Sequence, residues 1–305
     1  MDHDVIIIGG SFAGLSAAMQ LARARRSVLL LDTGRPRNRF AATSHGFPGQ
    51  DGRRPGEIGA ALRADLAAYP TVTMQEAEAL DASREEGGFR LSLAEGGAVT
   101  ARRLVLAYGV RDTLPDLPGL AERWGASVLH CPYCHGYELD RRPVGVLARG
   151  EMALHQAMLL PDWGPTTLFT NGAFAPTGDQ RRMLAARGVA LEEGPVAGLV
   201  GPAPALAAVR LADGREIPVA GLFIAPQTAP SSDLGARLGC RMAEGPTGPT
   251  LAVDGMQATS VPGVFAAGDL ANPMANATLA AAAGVMAGTA AHRSLIFGAD
   301  LTAAA

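Results

Sequence analysis

The chain has almost no charge of one sign to spare. Its 26 basic residues nearly balance 29 acidic ones, leaving a formal net charge of −3 over 305 residues. The basic residues are scattered and form no stripe, so there is no field that would gather nucleic acid or an acidic membrane surface. Long apolar runs are missing too. The nearest approach, Thr278 to Phe297, is mostly Ala and Gly and carries His292 and Arg293, too weakly apolar to drive insertion. A tightly packed helix inside the globule is the expectation there. The first apolar run, Val5 to Ile8, has no basic lead before it and meets Gly9-Gly10 with no small-residue cleavage site of a signal peptide after it, which points to a cytoplasmic protein. Cysteine is scarce, with three residues. In a reducing cytosol a close pair is catalytic, redox-active or metal-binding rather than a structural staple. Cys240 stands alone and is expected to be a buried, inert thiol.

What the chain does have is enough apolar content, 48%, for packed cores, and a length that suggests two domains of roughly 150 residues. The run Asp4-Val-Ile-Ile-Ile predicts a buried strand. It is followed by the turn Gly9-Gly10-Ser11-Phe12-Ala13-Gly14 and an Ala-rich helix from Leu15 to about Ala24. Val28-Leu-Leu-Leu-Asp32 then predicts a second strand ending in an acid about 20 residues beyond the turn. Small residues let a backbone approach a pyrophosphate at a helix N-terminus, and an acid placed this way accepts ribose hydroxyls. The middle glycine of the usual pattern is Ser11 here, and a plain strand–helix–strand unit remains the alternative.

Residues 33 to 56 form a long irregular connection that includes Arg37-Asn38-Arg39 and His45-Gly46-Phe47-Pro48-Gly49, and loops of that length are usually functional. His45 reads either as a surface histidine or as a cofactor contact. Short strand-like runs at Val72 to Met74, Phe89 to Leu93 and Leu104 to Leu106 suggest a β-meander, and Arg111 to Gly119 reads as a linker.

The stretch most charged with chemistry is His130-Cys131-Pro132-Tyr133-Cys134-His135-Gly136-Tyr137-Glu138. Two cysteines at this spacing can exchange a disulfide, and an adjacent histidine can take or give the thiol proton. Beyond it, Pro143-Val-Gly-Val-Leu147, the turn Ala148 to Ala153 and the helix Leu154 to Leu160 repeat the strand–turn–helix pattern in degraded form. The first glycine is Ala148, and the next strand ends in Asn171-Gly172, with no acid to hold a ribose and no arginine to clamp a 2′-phosphate. Asp213-Gly214 signals a hairpin in a second meander. Near the end, Val261 to Asp269 predicts a strand finishing in Gly268-Asp269. That acid is either a contact to a sugar-like chain or the N-cap of the last helix.

Taken in order, GGSFAG near the start, CPYC between two nucleotide-binding units and GVFAAGD near the end, the chain resembles the low-molecular-weight thioredoxin reductase family of FAD flavoproteins over essentially its whole length. CPYCHGYE with an eroded second site resembles more closely the branch that includes the gliotoxin and holomycin dithiol oxidases. The resemblance implies an α/β fold of two Rossmann-like nucleotide-binding domains, each with a β-meander. It places a discontinuous FAD-binding domain at 1–111 and 243–305, and a degenerate NAD(P)H-binding-like domain carrying the CxxC at 112–242. It also implies a homodimer and a dithiol or disulfide substrate, either a small molecule or a thioredoxin-like protein.

By the same resemblance Gly9, Ser11, Ala13 and Gly14, with Gly10 and Phe12 in the same turn, would cradle the FAD pyrophosphate. Asp32 would hold the adenosine ribose and Gly268 and Asp269 the ribityl chain, with Asn38 and Gly109 completing the cofactor-binding set. Cys134 would face the flavin and Cys131 the substrate. His135 stands where thioredoxin reductases carry an aspartate acid. Tyr108 replaces a usual threonine, and Asn276 to Leu279 replace an Arg-Gln pair.

The expected activity is FAD-dependent thiol–disulfide exchange without efficient NADPH use, oxidising a dithiol and passing electrons to oxygen or another acceptor. A helix dipole and an imidazolium at His135 would depress the thiol pKa. Rival readings are an NAD(P)H- or ferredoxin-dependent thioredoxin-disulfide reductase and a non-catalytic flavin-bound scaffold. The C-x-x-C-H pattern also matches c-type haem attachment, which needs export, and a zinc site, which usually draws on two separated ligand pairs.

Overall fold

The computed structural model describes residues 1–274 and 276–299. The last six residues of the expected first domain, 300–305, therefore lie outside the described residues. The chain opens with β1 (His3–Ile8), α1 (Phe12–Arg23), β2 (Val28–Asp32), α2 (Pro55–Ala67), β3 (Val72–Glu76) and the meander β4 (Ala79–Glu85), β5 (Gly88–Leu93) and β6 (Ala98–Leu106). An extended ribbon strand, β7 (Val110–Thr113), leads to β8 (Val128–Leu129), α3 (Pro132–His135), β9 (Val144–Leu147), α4 (Ala153–Leu159), β10 (Thr166–Phe169), α5 (Gly178–Ala186) and β11 (Ala190–Glu192). A second meander, β12 (Val196–Val200), β13 (Ala208–Leu211) and β14 (Glu216–Pro218), precedes β15 (Gly221–Phe223) and β16 (Gln227–Pro230). The chain then runs through α6 (Leu234–Arg237), β17 (Met242–Glu244), β18 (Pro249–Leu251), β19 (Val264–Ala266) and α7 (Ala277–Phe297).

The first sheet has the order β3-β2-β1-β6-β5-β4, with β19 also pairing β6. β6 joins two kinds of pairing. Its first half runs antiparallel to β5, from Phe89 opposite Ala101 to Ser92 opposite Ala98, while its second half runs parallel to β1 and β19. The apolar runs explain this geometry. Val5, Ile7, Val28 and Leu30 pack beneath α1 and α7, while Ile6, Ile8, Leu29 and Leu31 pack against the opposite face, so both faces of the parallel strands are buried.

α1 and α7 approach closely because both are Ala- and Gly-rich. A Cβ on Gly284 would strike the Ala13 carbonyl, and one on Gly288 the Ala17 carbonyl. α7 differs from the expected enclosed helix. Its Ala280, Ala283, Ala287, Ala290 and Ala291 are buried, but Val285, Met286, Ile296 and Phe297 reach the surface. Among the described residues no helix is long and apolar enough to cross a membrane.

The second sheet, β11-β10-β9-β15-β8, is parallel throughout and repeats the strand–helix pairing expected of the second unit. The segment expected as a linker is partly a strand: β7 pairs antiparallel with β16, Val110 opposite Pro230 and Thr113 opposite Gln227. This ribbon connects the two sheets. β4 and α2 were not anticipated, since Gly56 and Gly59 weaken the helical signal of α2 and alternation in β4 is interrupted by a bulge near Asp81.

Candidate active site

β1, β2, β6 and β19 are parallel neighbours, so their carboxyl ends lie along one edge. That edge carries Gly9, Asp32, Tyr108-Gly109 and Gly268-Asp269, and it opens into a cavity of about 590 Å³. Ligand crevices form at this edge in open α/β sheets. Gly9, Gly10, Ser11, Phe12, Ala13, Asp32, Asn38, Gly109, Gly268 and Asp269 all line the cavity, together with Cys134 and His135. Gly14 and Cys131 do not. Gly14 serves packing, because a Cβ there would collide with the Gly9 carbonyl.

The turn entering α1 needs its glycine. Gly9 sits at φ +109°, and a Cβ on it would run into the Ala107–Tyr108 peptide. Ser11 is the N-cap of α1 but its side chain makes no capping bond, and the first turn has no acidic residue. The first amides of α1 therefore face the cavity with no side chain competing for them, an arrangement that suits a phosphate. At the far end of the turn Asp32 is held twice: Gly10 N–H donates to its Oδ1 at 3.1 Å, and Arg63 Nη2 donates to its Oδ2 at 2.6 Å. The fit to a dinucleotide such as FAD rests on this uncapped helix start beside a fixed carboxylate, in a cavity of ordinary ligand size.

Asp269 is not an N-cap. It lies in a 3₁₀ turn, Gly268–Leu270, and α7 is capped instead by Asn276, whose carboxamide oxygen accepts from Leu279 N–H at 2.8 Å. Asp269 Oδ2 accepts from Arg37 Nη1 at 2.8 Å, while Arg37 Nε donates to Asp112 Oδ2 at 2.9 Å. One guanidinium thus ties the loop after β2, the ribbon strand β7 and the turn after β19. Tyr108 is bound in place too, its hydroxyl accepting from Gly235 N–H at 3.2 Å, and burial pushes it up to about 12, so it stays protonated.

The cysteine segment leaves β8 and turns into α3. Cys131 and Cys134 form a disulfide with 5.3 Å between Cα atoms. α3 is seated on an aromatic floor: Gly136 abuts the Trp163 indole so closely that a Cβ would clash, and Tyr133 meets Trp163 edge-on at 5.2 Å. Gln156 Nε2 donates to the His130 carbonyl at 2.8 Å and fixes the entry to the turn. This placement turns Cys134 and His135 toward the cavity, whereas Tyr133 and Tyr137 are exposed.

Burial holds His135 below the ordinary imidazole value; Glu138 opposes the shift and His45 adds to it. At neutral pH it is a neutral proton acceptor rather than the standing cation expected from its position. α3 spans only four residues, too few for a strong dipole. His130 is pushed lower still, to about 4, by burial first and then by Arg37, with Asp112 opposing. Cys240 is buried as expected, its thiol donating to Thr259 Oγ1 at 3.4 Å, and burial raises its pKa.

At the second turn the side chains are committed elsewhere. Arg149 Nη1 donates to the Thr113 carbonyl at 2.8 Å, and Asn171, at φ +48°, accepts from Val196 N–H at 2.8 Å. Sequence reasoning missed Arg63 and Asp112. Arg63 sits on an unanticipated helix, and Asp112 lies in a stretch expected to be linker, so neither carried a local signal.

A family model described as pyridine nucleotide-disulphide oxidoreductase matches residues 3–284. Thioredoxin reductase tcpT of Claviceps purpurea is 35% identical, the match covering 96% of this chain and 94% of the relative. Thioredoxin reductase sirT of Leptosphaeria maculans is 31% identical, covering 98% and 96%. Among solved structures, an oxidoreductase from Agrobacterium tumefaciens is 52% identical with a TM-score of 0.94, covering 97% of this chain and 99% of that one. The structure of HlmI is 39% identical with a TM-score of 0.90, covering 99% and 95%.

Proposed function

The chain belongs to the pyridine nucleotide-disulphide oxidoreductase family, as a thioredoxin reductase-like FAD flavoprotein, and from that premise we propose that it oxidises dithiols to disulfides through Cys131 and Cys134. The observation that carries the reading is the split placement of the pair. Cys134 lines the same cavity as Gly9 to Ala13, Asp32, Gly268 and Asp269, whereas Cys131 does not. The two sulfurs thus divide the work between cofactor and substrate. Residues 1–111 with 243–305 are assigned as the FAD-binding domain and 112–242 as the domain carrying the cysteines.

In the cavity the α1 amides would hold the pyrophosphate, Asp32 the ribose and Asp269 the ribityl chain. Bound FAD supplies a two-electron acceptor. A substrate thiolate attacks Cys131 Sγ, the Cys131–Cys134 bond breaks, and Cys134 leaves as the thiolate. The second substrate thiol, once deprotonated, attacks the mixed disulfide and leaves as the product disulfide, returning the electron pair to Cys131. His135, neutral and beside Cys134, takes the proton.

The oxidase direction is supported by the second turn, where no acid follows β10 and Asn171 is engaged with Val196. The rival, an NAD(P)H-dependent reductase, draws on the names of the relatives and on Gly150, which stays at positive φ with open space around it. Two measurements decide. Cys131→Ser and Cys134→Ser each abolish oxygen-coupled oxidation of dithiothreitol while leaving the yellow flavin bound; retained turnover would remove the pair from the mechanism. In anaerobic stopped flow NADPH leaves the flavin absorbance unbleached on the turnover timescale, and rapid bleaching would establish the reductase instead.

A further inference from the structure

His45 stands between two carboxylates that come from different parts of the chain. Its Nδ1 lies 3.4 Å from Asp51 Oδ2, and its Nε2 lies 3.5 Å from Glu138 Oε1 and 3.1 Å from Thr43 Oγ1. Glu138 belongs to the 3₁₀ turn Tyr137–Leu139 that directly follows the cysteine helix. Asp51 belongs to the irregular loop after β2 and is 67% exposed, so it exchanges protons with water, whereas the His45 side chain is 18% exposed.

The loop that presents His45 is built rather than loose. Ser44 N–H donates to the Arg53 carbonyl at 2.8 Å and Gly52 N–H to the Ser44 carbonyl at 2.9 Å, closing it at the base. Gly46 N–H donates to Asp51 Oδ1 at 2.9 Å, and Thr278 Oγ1 on α7 donates to the Gly46 carbonyl at 3.3 Å. His45 and His135 line the same cavity. The titratable groups that face His135 are Glu138, His45 and His130, and those that face His45 are Glu138, Asp51 and His135. An imidazole with an acceptor at each ring nitrogen can take a proton on one side and yield one on the other. The two gaps reach hydrogen-bond length with about 0.5 Å of approach.

We infer that Glu138, His45 and Asp51 form the outlet by which the proton released in dithiol oxidation reaches water. The inference rests on the dithiol oxidase reading. In that exchange R(SH)₂ and the Cys131–Cys134 disulfide give the cyclic substrate disulfide, a Cys131 thiol, a Cys134 thiolate and one proton. Two S–H bonds and one S–S bond break; one S–S bond and one S–H bond form; the substrate is oxidised by two electrons and the cysteine pair reduced by two. His135 receives the proton and Glu138, three residues on, takes it over. His45 accepts it at Nε2 and yields one from Nδ1 to Asp51. These are relay residues, since none of the three touches the reacting sulfurs.

The test follows proton release with an indicator dye after anaerobic mixing of the flavin-loaded enzyme with dithiothreitol, between pH 5 and 8. His45→Asn and Glu138→Gln are expected to slow release about tenfold, with flavin content and melting temperature unchanged. Added imidazole is expected to restore His45→Asn toward the wild-type rate, a rescue that a purely structural histidine would not show. Release at the wild-type rate in His45→Asn, or slowed release without rescue, overturns the outlet and leaves the oxidase reading standing. Dithiothreitol oxidation by Cys131→Ser overturns the oxidase reading itself and the outlet with it.

Discussion

His130 sits in the cavity wall with Arg37 and Asp112 as its charged neighbours, the titratable His135 nearby and the Trp124 ring 6.1 Å away. Its pKa is lowered to about 4, by burial first and by Arg37 second, from an ordinary value of 6.5. A group held this way binds fewer protons folded than unfolded, so its effect is absent above pH 6.5. Stability falls as pH drops from 6.5 toward 4 and levels off below, a loss on the order of 3 kcal/mol from this residue. His130→Asn is expected to lose less melting temperature than the wild type between about pH 7 and about pH 4.5. Equal losses in a pair of calorimetric scans would show that other groups govern the acid limb.

At the scale of elements, the contact of α1 with α7 sets where the cavity's phosphate end lies, because Ala13 touches both the cavity and Gly284. Glycine in a helix interior ordinarily costs about 0.5–1 kcal/mol relative to alanine. At Gly284 that gain is overridden, since the added Cβ meets the Ala13 backbone, which cannot yield as a flexible side chain would. Gly284→Ala is expected to destabilise by about 1–3 kcal/mol and to weaken flavin retention. Gly59, inside α2 with nothing near its Cβ position, provides the opposite case. Gly59→Ala is expected to stabilise by about 0.5–1 kcal/mol with flavin binding unchanged. Urea titrations of the two variants test both signs, and a stabilised Gly284→Ala would mean that the helices part easily.

Across the whole molecule, Arg37 ties segments far apart in the chain, reaching Asp112 and Asp269 at once. It is 24% exposed, with Asp112 at 8% and Asp269 at 23%, so this triad is largely shielded from solvent. Removing the guanidinium leaves two poorly solvated carboxylates without their cation, which costs about 3 kcal/mol or more. Arg37→Gln is expected to lower the urea midpoint accordingly, and the double variant Arg37→Gln with Asp112→Asn to recover part of the loss. A loss in Arg37→Gln below about 1 kcal/mol would place the triad among ordinary surface ion pairs. The resemblance to thioredoxin reductases also implies a homodimer, and a monomer mass in sedimentation equilibrium would contradict it.

The sequence by itself determined the parallel strands, the glycine turn, the degraded second unit and the identity of the reactive segment. Each is a local pattern: Val5 to Ile8 is apolar on both faces, Gly9 must take positive φ, and Cys131 and Cys134 are spaced for a disulfide. Tertiary structure alone decided how these parts meet. The resemblance already implied that Cys134 faces the cofactor, but the physical reason is tertiary: α3 rests against Trp163, which lies 29 residues beyond Cys134 in the chain. The partners of Asp269 and Asp32, Arg37 and Arg63, are ordinary arginines in sequence. They become specific only when the fold brings the loop after β2, the ribbon strand β7, the turn after β19 and helix α2 together around one cavity. His45 and Glu138 were both visible as residues, but their pairing was not. Electrostatic contact depends on distance in space, and no spacing along the chain records a separation of 3.5 Å between residues 45 and 138.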